Sequence, residues 1–436
     1  MEGPELYSQH YDNTEETMIK QQAESKSPHP PFTKGGRGGI SSKSGFTLIE
    51  LLITMVIFVL VLSAGSQIFT GLLTQFKQQS KIAETNIEGI VGLEILRQDI
   101  EHAGYGLPWN VTGANWSDLP NYIEAESISC TPNTNDFDDA PNNAPKAILS
   151  RNDASFSGCG ANSIFNGSDY LVIKSVNITR SDTTQRWTRL RSGNEKRNGL
   201  SGDNFDDTDR VIVISPGSTD ANGMALVAYS SGGTTYWHTT YNATSNFAPQ
   251  DSTETRVIYG LDPLDTTGEP YTRRMPFNRA DYYIWRNSTS TATDEVPDRC
   301  ALNTGVLRKA VISQKNGQRE NPLPLLDCVA DMQVVYGLDN DDDGDFEPGV
   351  GAPPDGYSED LTALTAQQIR DQVRQVRIYI LAHEGQRDTN YTYSSATISL
   401  GGDVGLGRTF DLTTIANYQN YRWKVYTLVI TPGNVR

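Results

Sequence analysis

Among the side chains able to do chemistry, the densest group is the run Asp339-Asn340-Asp341-Asp342-Asp343-Gly344-Asp345-Phe346-Glu347. Asp339, Asp341 and Asp343 stand at alternate positions with Gly344 next, so one tight loop can turn several hard oxygens toward one cation, and Ca²⁺ is the cofactor that this pattern predicts. The backbone carbonyl of Asp345 falls at the seventh position of such a loop, the apolar Phe346 at the eighth, and Glu347 at the ninth, where a ligand often acts through water. Val350 occupies the twelfth position, where a bidentate glutamate is required, so Asp355, Glu359 or Asp360 would have to substitute. The alternative is a solvated acidic turn between strands. No catalytic residue is nominated: the histidines at 10, 29, 102, 238 and 383 show no metal-ligand spacing, and the glycines of 401–407 lack the strand-to-helix context of a nucleotide loop. The chain is therefore expected not to be an enzyme.

A second chemical position is Glu50. It is the one ionisable side chain between Phe46 and Ala64, a stretch otherwise built of Leu, Ile, Val, Phe, Met and small residues. At about 1.5 Å per residue, roughly 20 such residues span a ~30 Å hydrocarbon layer as a helix, the conformation that leaves no backbone amide unpaired there. An acid in that setting needs a partner. Cleavage between Gly45 and Phe46 would create one, an ammonium on Phe46 that a neighbouring subunit could offer.

The sequence Gly45-Phe46-Thr47-Leu48-Ile49-Glu50-Leu51-Leu52 closely resembles the signal of type IV prepilins and type II secretion pseudopilins. The resemblance implies cleavage after Gly45 and N-methylation of Phe46 by a prepilin peptidase at the inner membrane, with Glu50 acting in assembly. It also implies a single-pass protein whose N-terminus is cytoplasmic before assembly and which lies in a pilus at the cell surface afterwards. Lys34, Arg37 and Lys43 suit a cytoplasmic flank. The leader, residues 1–45, is longer and more acidic than such leaders usually are, which points to a start further downstream. The segment Leu96 to Tyr105, the strand-like 167–174, the run from Val373 to Ala382 and the closing 421–426 resemble PilW-type minor pilins.

No proline interrupts the chain between Phe46 and Pro108, so one helix is expected to about Ala103, with Gly104-Tyr105-Gly106 as its stop. Its second half carries Ile82, Ile87, Ile90, Val91, Leu93, Leu96 and Ile100 at three- and four-residue spacings, a face expected to bury against a globular head. Beyond it, short runs rich in β-branched and aromatic residues read as strands: Asp169 to Val176, Arg210 to Ile214, Ala225 to Tyr229, Arg256 to Tyr259, Asp281 to Trp285, Gly305 to Val311, Cys328 to Tyr336, Val373 to Ala382 and Arg422 to Ile430. A short helix is expected near Thr365 to Asp371. The predicted class is α+β: a long N-terminal helix (46–104) on a β-rich antiparallel head (105–436), with long loops or an inserted subdomain at 178–275.

The chain has 436 residues and a formal net charge of -17, which argues against a nucleic-acid partner, whose footprint would be basic. Four cysteines, at 130, 159, 300 and 328, suit an oxidising compartment. Of the three possible connectivities the simplest joins neighbours, Cys130 with Cys159 and Cys300 with Cys328; free buried thiols are the alternative. The functional expectation is a minor pilin that helps initiate or cap a type IV pilus, with other minor and major pilins as partners. The alternatives are a minor pseudopilin of a type II secretion system and a pilus-borne adhesin.

Overall fold

The computed structural model describes residues 45–127, 134–152, 167–197, 204–217, 223–262, 273–286 and 296–434. All statements below concern these residues. The chain divides into two compact units, residues 1–69 and 70–436. Most of the leader and the cysteines 130 and 159 lie outside the described residues.

Helix α1, Leu48–Glu101, contributes to both units. In the first unit every described helical side chain from Leu48 to Phe69 is exposed, and the helix is long and apolar enough to cross a membrane. The stop falls at the expected glycines: Gly104 and Gly106 take φ of 81° and 65°, a region costly for other residues. Neither place has room for a side chain, since a Cβ on Gly106 would lie 2.6 Å from Val176 Cγ2 and one on Gly104 would lie 2.9 Å from the Asn434 carbonyl.

In the second unit the apolar face of α1 is narrower than its sequence suggests. Leu93, Leu96 and Ile100 are buried and Ile82 is half-buried, but Ile87, Ile90 and Val91 remain exposed. The reason is a close approach at two glycines. A Cβ on Gly92 would sit 1.7 Å from the Leu325 carbonyl oxygen, and one on Gly89 would sit 2.8 Å from Leu326 Cδ1. The helix backbone thus lies directly on the strand carrying Leu325, which fixes Leu93, Leu96 and Ile100 inward and leaves 87, 90 and 91 outside.

The head contains a large antiparallel sheet with strands in the order Arg422–Ile430, Val373–Glu384, Arg319–Leu338, Gly305–Ile312, Asn278–Trp285, Tyr170–Ser175 and Ile148–Arg151. The 20-residue strand Arg319–Leu338 starts well before the expected Cys328 and takes in Pro322 and Pro324, residues that argue against a strand in the sequence alone. Val373–Glu384 pairs with it only from Val329 onward, so the prolines fall where the strand has a ladder on one side and register shifts interrupt it. Helix α2, Ala366–Gln372, begins at Thr365, whose hydroxyl accepts from the Gln368 amide while the Gln368 side chain accepts from the Thr365 amide.

Residues 178–275 are not simply loops. They supply most of a second sheet, in the order Asn110–Val111, Met224–Leu226, Arg210–Pro216, Thr255–Gly260, Trp187–Arg191 and Lys196–Arg197, with Thr239–Thr240 paired to Arg210–Pro216. The expected strand Ala225 to Tyr229 is broken into Met224–Leu226 and Tyr229–Ser231.

The core holds a buried ionic cluster. Lys174 and Arg279, both fully buried, lie opposite each other on adjacent strands. They are tolerated because acids surround them: Lys174 Nζ meets Glu124 at 2.6 Å and Asp139 at 2.7 Å, and Arg279 meets Asp138 at 2.6 Å and Asp281 at 2.8 Å. Such groups are costly to bury and costlier still to leave unpaired, so the cluster fixes Glu124, Asp138 and Asp139 to the sheet.

Candidate functional site

The residues singled out by sequence occupy separate places. At the start of α1, the Glu50 carboxylate closes a cap on its own helix. Its Oε2 accepts from the Thr47 amide and the Thr47 hydroxyl, both at 2.9 Å, while the Glu50 amide donates to Thr47 Oγ1 at 3.3 Å. This is the reciprocal Thr-x-x-Glu box, which satisfies amides that the first helical turn leaves open. Glu50 Oε1 has no partner among the described residues. Phe46 is 83% exposed, and a Cβ built on Gly45 would meet nothing within 4 Å. The packing of this chain therefore does not require glycine at 45.

At the other end of α1 lies a site that the sequence reading did not single out. Asp99 is buried on the same face as Leu96 and Ile100 and is saturated by groups from the head. Its Oδ2 accepts from the Tyr282 hydroxyl at 2.6 Å and from Lys309 Nζ at 2.7 Å, and its Oδ1 from Arg180 Nε at 3.1 Å and Nη2 at 2.9 Å. Tyr282 and Lys309 are directly opposite on adjacent antiparallel strands, so both point to one side of the sheet and reach the same oxygen. Burial pushes the Lys309 ammonium below its ordinary value even though Asp99 raises it, and burial, with Asp99, pushes the Tyr282 hydroxyl up. The signal available in sequence was an acid in the middle of an apolar helical face.

The acidic loop is folded as a tight turn. Gly344 at the sixth position takes φ of 97°. Asp339, Asp341 and Asp343 each bring a carboxylate oxygen within 4.8 Å of the others. Much of the Asp339 acceptor capacity is already used. It takes the amides of Asp342 at 2.7 Å and Gly344 at 3.0 Å, and an ion pair with Arg374 at 2.9 Å. Asp343 accepts from the Asp345 amide at 3.0 Å, while the Asp345 and Glu347 side chains are exposed. Gly351 gives Asp341 its room, since a Cβ there would lie 2.1 Å from Asp341 Oδ2. Of the three acids considered for the twelfth position, Asp355 reaches the loop, accepting from the amides of Asn340 at 2.8 Å and Glu347 at 2.9 Å. Glu359 instead bonds Asn152 and the Gly407 amide, and Asp360 the Thr362 amide.

Cys300 and Cys328 are joined, one of the two neighbour pairings expected. Beside them His383 is buried, and its Nε2 accepts from the Ala301 amide at 2.9 Å. The ring packs against Trp423 of the closing strand and Tyr421 just before it, and burial pushes its pKa down to about 3. It is neutral and structural.

Residues 40–66 match the family model described as Prokaryotic N-terminal methylation motif, and residues 281–434 match that described as Type IV Pilus-assembly protein W, PilW. The start of the helix is thus similar to prepilins, and the C-terminal part of the head is similar to PilW. The PilW match begins inside the strand Asn278–Trp285 and takes in the rest of the large sheet toward the C-terminus, together with Tyr282, Lys309 and the acidic loop. It leaves out the strands of the smaller sheet. No curated protein and no solved structure matches the chain.

Proposed function

We propose that this type IV pilus-related protein is a minor pilin that helps initiate or cap the fibre, with prepilin peptidase cutting between Gly45 and Phe46. The observation that carries the reading is the pairing of an exposed apolar helix with a head of two sheets. The membrane half of α1 is bare from Leu48 to Phe69, and within the second unit Ile87, Ile90 and Val91 are exposed as well. Exposed apolar area on this scale marks a membrane or protein–protein surface, and in a fibre neighbouring helices would cover it. The head, meanwhile, is well beyond a typical ~100 to 150 residue domain. In a fibre of side-by-side helices a head that large would collide with copies of itself above and below, and a terminal position relieves one collision.

Gly45, which nothing in the chain's own packing requires, is read as the peptidase's recognition residue. Glu50 Oε1 is available to a neighbour's Phe46 ammonium while Oε2 holds the cap. The role is structural, with no catalytic part. The loop of Asp339, Asp341 and Asp343 is proposed to bind Ca²⁺, with Asp355 bracing it from outside and Arg374 competing for Asp339.

Quantitative mass spectrometry of sheared pili, with labelled heads viewed by microscopy, tests the assignment. The expected result is a sub-stoichiometric protein at fibre ends, with Phe46 as its methylated N-terminus. Abundance equal to the principal subunit, or label spread evenly along the fibre, overturns the terminal position. Recovery only with a secretion complex points to the pseudopilin alternative.

A further inference from the structure

The outer strands of the smaller sheet, outside the PilW match, put three arginines on one face. Along Trp187–Arg191 the side chains alternate: Leu190 is buried in a small apolar cluster on one side, while Arg189 and Arg191 are exposed on the other. Lys196–Arg197 pairs with this strand so that the exposed Arg197 stands directly opposite Arg189. The three positions are therefore about 5 Å apart across the strands and about 7 Å apart along one of them. Like charges set opposite each other weaken a sheet. Nothing in this chain relieves them, since among the described residues the side chains of Arg189, Arg191 and Arg197 make no hydrogen bond, ion pair or ring contact. Glu195, the nearest acid in sequence, is exposed and pairs with none of them. Other arginines are served by the chain itself: Arg97 reaches Glu94 and Glu101, Arg186 reaches Asp209, and Arg377 reaches Asp403. In a chain with 53 acidic against 36 basic residues, an unpaired basic face runs against the overall balance.

A guanidinium fork matches a carboxylate or sulfate with two parallel hydrogen bonds. Three forks spread over two strands suit anions that recur along a polymer better than one small ion. Trp187 is half-buried on the same side of the sheet, two positions before Arg189, and the half-buried Val257 lies opposite Arg189 on the inner strand. An indole beside the charges offers a flat apolar surface, which a run of Asp and Glu would leave unused and a sugar ring can cover. A nucleic acid, with one charge per about 1.7 Å of duplex axis, is opposed by the acidity of the whole chain. A polysaccharide carries its charges further apart. We propose that this face binds an acidic polysaccharide, with its carboxylates or sulfates on Arg189, Arg191 and Arg197 and a sugar ring against Trp187. This inference is independent of the assembly reading.

The test is calorimetry on the full chain in a non-ionic detergent, with oligogalacturonate as probe and a neutral oligogalactan, oligothymidylate and oligoglutamate as comparisons. Oligogalacturonate is expected to bind, more weakly as salt is raised, and the neutral sugar not to bind. Arg189→Gln, Arg191→Gln and Arg197→Gln should each weaken oligogalacturonate by about fivefold, the scale of one exposed charge contact, and the three together by about a hundredfold. Arg97→Gln, which removes an exposed arginine on α1, should leave the affinity unchanged. Circular dichroism melts establish that each variant is folded, and if the triple variant is not, the single variants decide. Absence of oligogalacturonate binding, affinity unchanged in the folded face variants, or an equal loss in Arg97→Gln each overturns the proposal. So does any comparison ligand that binds as tightly as the sugar acid.

Discussion

The carboxylate of Asp99 and the ammonium of Lys309 lie 2.7 Å apart inside the head, although 210 positions separate them in sequence. One belongs to the end of the long helix and the other to a central strand, so this contact, with Tyr282 and Arg180 around it, joins helix to sheet.

Asp99→Asn is expected to destabilise the head by about 3 to 5 kcal/mol, because it leaves Lys309 buried without its counter-charge. Thermal melts of the purified chain read the loss. A variant as stable as the parent would show that the hydrogen bonds to Tyr282, not the charge, hold the dock.

Gly92→Ala places a methyl group where the Leu325 carbonyl already stands, 1.7 Å away, and should cost about 3 kcal/mol or prevent folding. Gly71→Ala meets nothing within 4 Å and serves as the control. Equal melting temperatures for the two variants would mean that the helix does not rest on that strand.

Glu50 can be divided between its two roles by two substitutions. Gln keeps the reciprocal cap with Thr47 and loses the charge, whereas Ala loses both. Membrane insertion should survive in each, and fibre assembly should fail in each if the charge pairs with a neighbour's Phe46. Normal assembly by Glu50→Gln would assign the residue to capping alone.

Calcium should raise the melting temperature of the chain, by an amount corresponding to ~2.7 kcal/mol at a hundredfold excess over the dissociation constant. Asp341→Asn should abolish the response. Melts that do not move when the ion is chelated would leave the loop as an acidic turn tied by Arg374.

His383 sets a pH dependence. Its folded pKa, about 3, lies below the ordinary 6.5, so the unfolded chain takes up the proton first as pH falls. The associated stability is fully present above pH 6.5 and is lost progressively toward pH 3, at about 1.4 kcal/mol per pH unit. His383→Gln, which keeps an acceptor for the Ala301 amide, should flatten the stability profile between pH 6.5 and 4.5 by roughly 1.4 kcal/mol per unit. An unchanged slope would place the acid sensitivity in other groups.

Local rules made part of this fold readable. The stop at Gly104 and Gly106, the short helix expected near Thr365 to Asp371 and the last strand, Arg422–Ile430, follow from local residue types, and the structure has the stop and the strand there and the helix at Ala366–Gln372. Other features depend on partners far away in sequence. The prolines at 322 and 324 argue against a strand until its missing second neighbour is known. Ile87, Ile90 and Val91 fit a buried face by spacing, and only the approach at Gly92 turns them outward. The burial of Lys174 and Arg279 is not legible in a linear reading, and Asp99 shows only as an acid within an apolar helical face, because Lys309, Glu124 and Asp138, which pair with Asp99, Lys174 and Arg279, lie far away in sequence. The acidic loop was legible as a carboxylate cluster, but nothing local revealed that Arg374 pairs with its first member.

The carbonyl of Glu101 accepts from the amide of Gly433 at 2.9 Å and from the Asn434 side chain, 333 positions later. On a ribosome, the end of the helix would emerge and wait through synthesis of nearly the whole head before the residues that pin it exist. During that interval Leu96, Ile100 and Asp99 lack their native cover, since Tyr282, Lys309 and the strand at Leu325 also come late. Premature termination would therefore yield a chain with its apolar helix intact but its dock unmade, a product recognisable to proteases by the surface it fails to hide.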